Sequence, residues 1–461
     1  MKTFRLKGIK GFKDTGDIKL KPITIVIGQN SSGKSSILRF PLVLRQTFQD
    51  DSMAPLLFYG KSIDYGNFED VVFNHDKNSV IEFSISIKAA DLLRARPMPY
   101  IRKIFEKSIN SKEDLIIRVR AKLRERNLVV DHFELRSTKQ VIIVFERFNG
   151  NYLRFISGID GNVMEMPEEL MGFDKFIPDF RVLDTDDSGM TKKIANEFYY
   201  LFSSLSYYFN TMVGNISYIG PFRRTPERFY RYTENSVNHV GSAGEFAPVI
   251  LGQDMRSDNR LINSVSEWLT ENLNYSLDVE DLKGDMFKIV VTDKLTNARN
   301  NLIDVGHGLS QLIPIIVQTL MKRNNQMYSG KINHLPRINV IEQPELHLHP
   351  AAQSSLADLF VRGIRGKGSN SKMFFIETHS EHMLIRLRRY ILEERLSPNE
   401  VALYYTEKSQ DGSINIRPLT IDRDGGILDW PKDFFSEDYM EVLALRKAYR
   451  KKHQGSESPL W

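Results

Sequence analysis

Hydrophobic positions along this chain alternate between two periods. Ile23, Ile25 and Ile27, with Val26 between them, form a short β-branched run that predicts a buried strand, and SSILRFPLVL starts a helical spacing straight afterwards. Upstream, Phe4, Leu6 and Ile9 alternate with basic residues and DTG offers a turn, so residues 2 to 27 predict two or three strands. Ile81, Phe83, Ile85 and Ile87 line one face of another strand. VIIVFERFNGNYLRFISG predicts a hairpin at Asn149-Gly150, a pair that tolerates left-handed dihedrals.

From about 165 to 280 the spacing is mostly helical. Phe198, Tyr199, Leu201, Phe202, Leu205, Tyr208 and Phe209 predict an apolar helix face, and Ile262, Val265, Trp268 and Leu269 a second one. The segment from KIVVTD to IIVQTL reads as strand, hairpin and helix. Apolar strands follow at Ile338, Val340 and Ile341 and from Phe374 to Ile376, and a short tail carries strands near VALYYTE and SINIRPL.

Composition narrows the classes. With 461 residues, 41% hydrophobic and 26% charged, the chain predicts one large domain with insertions or two domains, and not a disordered protein. The absence of cysteine excludes disulfides, thiol nucleophiles and cysteine-ligated metal sites. No run long enough to span a bilayer occurs and MKTFRLKGIKGF lacks the apolar core of a signal peptide, so no membrane contact and a cytoplasmic location are expected. A net charge of +5 and a pI near 9.0 are compatible with a polyanionic partner without requiring one.

The strand-to-helix step at Pro22–Leu38 contains GxxxxGK[ST] as Gly28, Gly33, Lys34 and Ser35, with Asn30, Ser32 and Ser36 in the same stretch. Glycines let successive N–H groups converge on phosphate oxygens, Lys34 reaches the β and γ phosphates, and the Ser35 hydroxyl is placed to ligate Mg²⁺. Further on, DVGHGLSQ puts Gly306, Gly308, Ser310 and Gln311 at a predicted helix start, where amides and a small hydroxyl suit an anion. RINVIEQPELHLHP supplies a strand ending in Glu342, placed to hold Mg²⁺ directly or through water, and KMFFIETHSEHML supplies one ending at Thr378-His379-Ser380. His379 stands where a side chain could meet the γ-phosphate or the attacking water.

Other signals keep two readings. Arg118, Arg120, Lys122, Arg124 and Arg126 alternate strictly, which suits either a phosphate backbone of DNA or RNA or the solvated side of an edge strand. The arginine-rich loop YIGPFRRTPERFYRY could clamp phosphates or pair with acids such as Glu227 and Glu245. His347 and His349 suggest loop structure over metal binding, because no ligands lie nearby in sequence.

The four motifs in this order resemble the ABC-type, OLD-like AAA family ATPases of prokaryotic antiphage systems, in the compact branch with IE[EQ]PExHLHP and ETHSEH. That branch is similar to the ATPase subunits of the Septu (PtuA), retron-associated and PARIS systems. The resemblance covers residues 1 to 90 and 215 to 440. It implies an α/β, ABC/SMC-head-like P-loop ATPase with N-terminal antiparallel strands and an inserted mixed α+β lid. It also implies ATP and Mg²⁺ as cofactors, Ser35 and Glu342 on the metal, His379 as switch histidine, and Gly308 with Ser310 acting across a homo-oligomer built from nucleotide-sandwich dimers. Expected boundaries are 1–90 for the core with the phosphate loop, 91–215 for the insertion, 216–440 for the second core lobe and 441–461 for a basic tail.

One departure matters. Where hydrolytic relatives carry a catalytic glutamate after the strand acid, this chain has Gln343, which can orient water but cannot accept its proton. Slow hydrolysis is expected, with Glu345 as a candidate substitute base. No heptad arms and no nuclease cluster are present, so a nuclease effector would be a separate chain. The main rival is a RecF-like repair ATPase that itself binds DNA; a transporter ATPase and a scaffold with a dead nucleotide site are the remaining alternatives.

Overall fold

In the computed structural model, residues 1–95, 111–148, 152–159, 161–168, 171–180, 189–234, 237–322, 335–366, 370–431, 444, 445 and 447 are described. The alternation at the start of the chain produces β1 (Thr3–Ile9), which forms a hairpin with β2 (Phe12–Asp14) and pairs at its other end with β3 (Ile18–Lys19). The tight reversal falls at Lys10-Gly11 rather than at DTG. β4 (Ile23–Gly28) leaves for a second sheet. β5 (Ile81–Lys88) returns beside β1, and β6 (Asp114–Arg124), β7 (Asn127–Ser137), β8 (Val141–Phe148), β9 (Tyr152–Ser157) and β10 (Val163–Pro167) each pair antiparallel with the strand before. The result is a nine-stranded sheet. Within residues 91–215 helices and strands are mixed, and β6 to β10 continue the sheet that β1 begins. Phe148 pairs with Tyr152, so the hairpin forms where expected, although Asn149-Gly150 itself lies outside the described residues.

The basic row needs correcting. Arg118, Arg120, Lys122 and Arg124 do share the less buried face of β6, but β6 lies inside the sheet and is not an edge strand, while Arg126 sits in the following turn at φ +72°. Acids on neighbouring elements meet the row. Arg120 and Lys122 reach Asp131 at 2.7 and 2.6 Å, Arg124 reaches Glu168 at 3.4 Å, and Arg118 lies 3.7 Å from Glu134 and 3.8 Å from Glu82.

The second sheet has seven strands in the order β13 (Ile216–Ile219), β18 (Arg337–Glu342), β19 (Lys372–Glu377), β4, β20 (Val401–Lys408), β21 (Ile414–Ile421) and β22 (Ile427–Leu428). From β13 to β20 the strands are parallel. Their carboxyl ends, Ile219, Glu342, Glu377, Gly28 and Lys408, therefore lie along one edge, where loops of an open α/β sheet gather ligands.

All six residues of β4 are buried, and the strand divides two cores. Val26 faces the cluster shared with the antiparallel sheet; Ile23, Ile25 and Ile27 face the cluster covered by helices Ala247–Met255, Arg260–Leu273, His307–Leu320, Pro350–Gly363 and Glu381–Leu392. This is the near-continuous apolar pattern of a parallel strand covered on both faces. Helix Gly189–Gly214 packs Phe198, Leu201, Phe202, Leu205, Tyr208 and Phe209 into the first core. Tyr199 is the exception to the expected face: at 49% exposure it points off the apolar stripe.

The mostly helical expectation from 165 to 280 holds less well. β10 ends there, β11 (Met171–Asp174) and β12 (Ile177–Phe180) form a hairpin, and a small sheet holds β14 (Tyr230–Arg231), β15 (Tyr275–Leu282), β16 (Met286–Asp293) and β17 (Arg299–Asn301). The four-residue strands of the hairpin are too short to establish a period-two pattern, and Lys175 at φ +57° makes their turn without glycine. Ile262, Val265, Trp268 and Leu269 are buried on one helix as predicted. No described helix is long and apolar enough to cross a membrane. Most of the tail at 441–461 lies outside the described residues.

Candidate nucleotide site

The loop after β4 follows the geometry its glycines permit. Gly28 has φ +150° and Gly33, capping helix Lys34–Leu38, has φ +79°. A Cβ on Gly28 would stand 2.3 Å from the Thr406 carbonyl oxygen, so only glycine fits where β20 crosses behind the loop. Ser32 Oγ bonds Thr406 Oγ1 at 2.6 Å and donates to Gln29 O at 2.7 Å, fixing the loop from within. Lys34 is 4% exposed and donates from Nζ to Gly28 O at 3.0 Å and Gln29 O at 2.6 Å. Burial lowers its affinity for the proton, and the charges of Glu377 and Glu345 oppose that shift. Its ammonium rests on neutral carbonyls, without an ion pair among the described residues.

Two glutamates end adjacent strands in register, Glu342 on β18 beside Glu377 on β19. They are held differently. Glu342 receives Arg39 Nε at 2.5 Å and Nη2 at 2.7 Å in a two-pronged pair, and Tyr218 Oη at 2.8 Å. Its side chain is 3% exposed. Glu377 instead accepts the Ser35 hydroxyl at 2.7 Å and lines the cleft over the loop. Burial raises the Glu377 carboxyl and the Ser35 hydrogen bond lowers it again, with the neighbouring Glu342 charge raising it further. In this structure the carboxylate on Ser35 is that of Glu377, because β19 lies between β18 and β4.

Gln343 follows in a left-handed conformation, φ +44°, with its N–H on Glu377 O at 2.8 Å, and lines the cleft together with His379. Burial, reinforced by the Lys34 charge, lowers the His379 pKa below its usual value. Glu345 turns away from the cleft. Its carboxylate accepts Thr378 Oγ1 at 2.8 Å and the His379 backbone N–H at 2.6 Å, and burial raises its pKa. Glu345 therefore positions the segment that carries His379. Arg223, from the arginine-rich loop, is 7% exposed and donates Nη2 to Glu342 O at 2.9 Å and Gln343 O at 3.1 Å. Burial lowers it to about 10. Glu227 pairs with Arg224 at 2.6 Å, whereas Glu245 accepts the Ala243 N–H.

The segment Gly306–Gln311 splits in two. Gly306 and His307 are exposed at the amino end of helix His307–Leu320. Ser310 and Gln311 are buried, Ser310 Oγ donating to His307 O and Gln311 Nε2 to Arg223 O. These two side chains do not face outward, so at this helix start it is the backbone of Gly306, exposed, and Gly308, half-buried, that reaches the surface. A Cβ on Gly308 would stand 2.6 Å from His347 O. His347 and His349 are exposed, His349 Nδ1 accepts the Ala351 N–H, and no group of three or more potential metal ligands occurs among the described residues.

Loop and strand ends border a cleft of about 740 Å³ lined by Asn30, Ser32, Gly33, Lys34, Ser35, Ser36, Gln343, Glu377 and His379. Its opposite wall comes from Lys10, Gly11, Asp70, Phe73, Asn74, His75, Gly412 and Ile414. The residues fit a magnesium nucleotide: a glycine cradle without side-chain obstruction, a cation resting on carbonyls, a hydroxyl–carboxylate pair beside it and a polar and aromatic wall opposite. Sequence reasoning missed Glu377, Arg39, Tyr218 and that wall. The one available signal was a carboxylate directly preceding Thr378-His379 in ETHSEH.

Two solved structures resemble the chain: an Smc head domain with an extended coiled coil bound to the C-terminal domain of ScpA, from Pyrococcus furiosus, at 13% identity and TM-score 0.40, covering 96% of this chain and 98% of that one; and an SMC head domain from Thermotoga maritima at 12% identity and TM-score 0.33, covering 90% and 98%. No curated protein matches it. Residues 396–445 match a family described as protein of unknown function, DUF3696. The stretch that bears Arg223, the Gly306 helix, Glu342, Gln343 and His379 matches an AAA ATPase domain, over residues 185–384.

Proposed function

We propose that this chain is an ATP-binding, slowly hydrolysing regulatory subunit of a bacterial antiphage defence complex, which acts in the cytoplasm and controls a separate nuclease. The observation that carries the nucleotide reading is the convergence of Lys34, Ser35, Glu377, Gln343 and His379 on one cleft from three separate stretches of chain. In this reading Lys34 leaves the loop carbonyls for the β and γ phosphates. Ser35 holds magnesium, with Glu377 beside it and Glu342 one strand further, and the metal supplies neutralisation of the phosphate charge. Gln343 orients water by hydrogen bonding, and His379, kept neutral by burial, offers a hydrogen bond to the γ-phosphate side. Slow turnover follows from the lack of a carboxylate at 343. Gly306 and Gly308 are proposed to contact the nucleotide of a second copy.

The defence role and the nuclease partner rest on the resemblance of the four motifs. The RecF-like alternative loses support from the β6 row, whose cations already face acids. Purification of the tagged chain from its native operon tests the proposal. A nuclease that co-elutes with the wild-type chain is expected, with its activity altered by Lys34→Ala; recovery of the chain alone from an operon that expresses its neighbours overturns the regulatory reading.

A further inference from the structure

The helix that follows the phosphate loop meets both of the strand-end glutamates. Ser35 and Arg39 stand one turn apart on it, the Arg39 N–H closing on Ser35 O at 3.0 Å, so they share a face. Ser35 meets Glu377 and Arg39 meets Glu342. Both carboxylates belong to nearly buried residues, Glu377 at 3% exposure and Glu342 at 2%, so what separates them is their partners. We propose that Glu377, and not Glu342, supplies the carboxylate of the magnesium site, while Glu342 is a positioning residue that ties the helix to β18. The proposal rests on the nucleotide reading above and assigns the metal its carboxylate within that reading.

Both oxygens of Glu342 are engaged. Oε1 accepts Arg39 Nε at 2.5 Å and Tyr218 Oη at 2.8 Å, and Oε2 accepts Arg39 Nη2 at 2.7 Å. Glu342 is not among the residues that line the cleft. Releasing its carboxylate to a metal would strand the Arg39 guanidinium, whose side chain is 30% exposed, and stranding one member of a buried pair is costly.

Glu377 is held in the opposite manner. Its backbone is pinned on both sides, Gln343 N–H donating to Glu377 O at 2.8 Å and Thr378 N–H to Val26 O at 3.3 Å, and its side chain lines the cleft. The carboxylate accepts the neutral Ser35 hydroxyl and makes no ion pair among the described residues. A buried carboxylate without a contacting cation is unfavourable, and a divalent ion seated on it offsets that cost. The spacing agrees with such an ion. Adjacent oxygens in an octahedral magnesium sphere, with bonds of about 2.1 Å, stand about 3 Å apart, and Ser35 Oγ lies 2.7 Å from Glu377 Oε2. Glu377 is also the acid whose charge bears most on Lys34, the residue assigned to the phosphates. One hydroxyl and one carboxylate make the protein's share of the sphere, leaving the rest to phosphate oxygens and water, the usual division for magnesium on a nucleotide.

The test compares ATP uptake by the full-length chain in magnesium and in EDTA, by calorimetry, on variants checked for fold by circular dichroism. Wild-type protein is expected to bind ATP more tightly with magnesium. Glu377→Gln, which keeps an oxygen for the Ser35 hydroxyl, should lose about 10-fold of the affinity in magnesium, the scale of a perturbed metal surrounding. In EDTA its affinity should hold or rise, because a negative charge has left the neighbourhood of the phosphates. Glu377→Asp keeps the charge and should recover part of the magnesium effect. Arg39→Gln combined with Glu342→Gln removes the buried pair without stranding either charge, and should retain the whole of it. Equal weakening of Glu377→Gln in both media, the signature of a merely structural hold on Ser35, overturns the assignment. So does a magnesium effect that survives Glu377→Gln or disappears in the combined variant. Wild-type protein that takes up no ATP in either medium overturns the nucleotide reading itself and this assignment with it, a result distinct from the others.

Discussion

The basic row of β6 and the charged groups around the phosphate loop contain the same residue types and use them in opposite ways. On β6 the arginines and lysine face acids contributed by β5, β7 and the segment after β10, so the field closes locally. At the loop Lys34 rests on carbonyls, and Glu377 receives only a hydroxyl. The difference teaches that a run of charge is a poor guide to a binding surface until its partners are known. A pattern in sequence gives the first; only packing gives the second.

Four perturbations break or sharpen this contrast. Arg39→Ala removes the cation from a nearly buried glutamate, and a loss of about 3 kcal/mol is expected in denaturant unfolding, with partial recovery on adding Glu342→Gln. A loss no larger than that of a surface pair would show that the Glu342 carboxylate is held without Arg39. Lys34→Ala removes the uncommitted cation and should weaken calorimetric ATP binding by about 100-fold, as expected when hydrogen bonds from a charged group are lost. Unchanged affinity would remove the distinction between the two regions.

Gln343→Glu restores a proton acceptor in the cleft. Steady-state phosphate release should rise by about 10-fold, below the usual worth of a general base because the surrounding loop accommodates an amide at 343 in this chain. If the rate falls, the water is oriented from elsewhere. The smallest effect belongs to β6: Arg118→Ala, Arg120→Ala and Lys122→Ala together should change duplex DNA affinity little at any salt concentration. They should cost less than about 1 kcal/mol per exposed pair. A steep, salt-dependent loss of DNA binding would reopen that face as a nucleic-acid surface.

The phosphate loop was legible in the sequence because every part of its signal is local: β-branched run, glycines, lysine, hydroxyl, helical spacing. β5 and the apolar helix faces were legible for the same reason. Glu377 was not singled out, since its relation to Ser35 depends on β19 lying between β18 and β4, an order that no spacing along the chain reveals. Arg39 and Tyr218 were hidden similarly, one at the junction between helices Lys34–Leu38 and Phe40–Gln49 and the other inside a four-residue strand. The burial of Ser310 and Gln311 escaped because a glycine-serine helix start looks alike whether its hydroxyl points outward or back to its own turn. Short strands from β10 to β12 lacked the length to reveal a period.

β18 sets a distance within the molecule. Its six residues are all buried, hydrogen-bonded on both sides by parallel neighbours, and extend about 17 Å from Arg337 to Glu342 at the usual rise of an extended chain. Such a segment resists stretching and bending, so the two rims of the sheet that it joins are held at a fixed spacing.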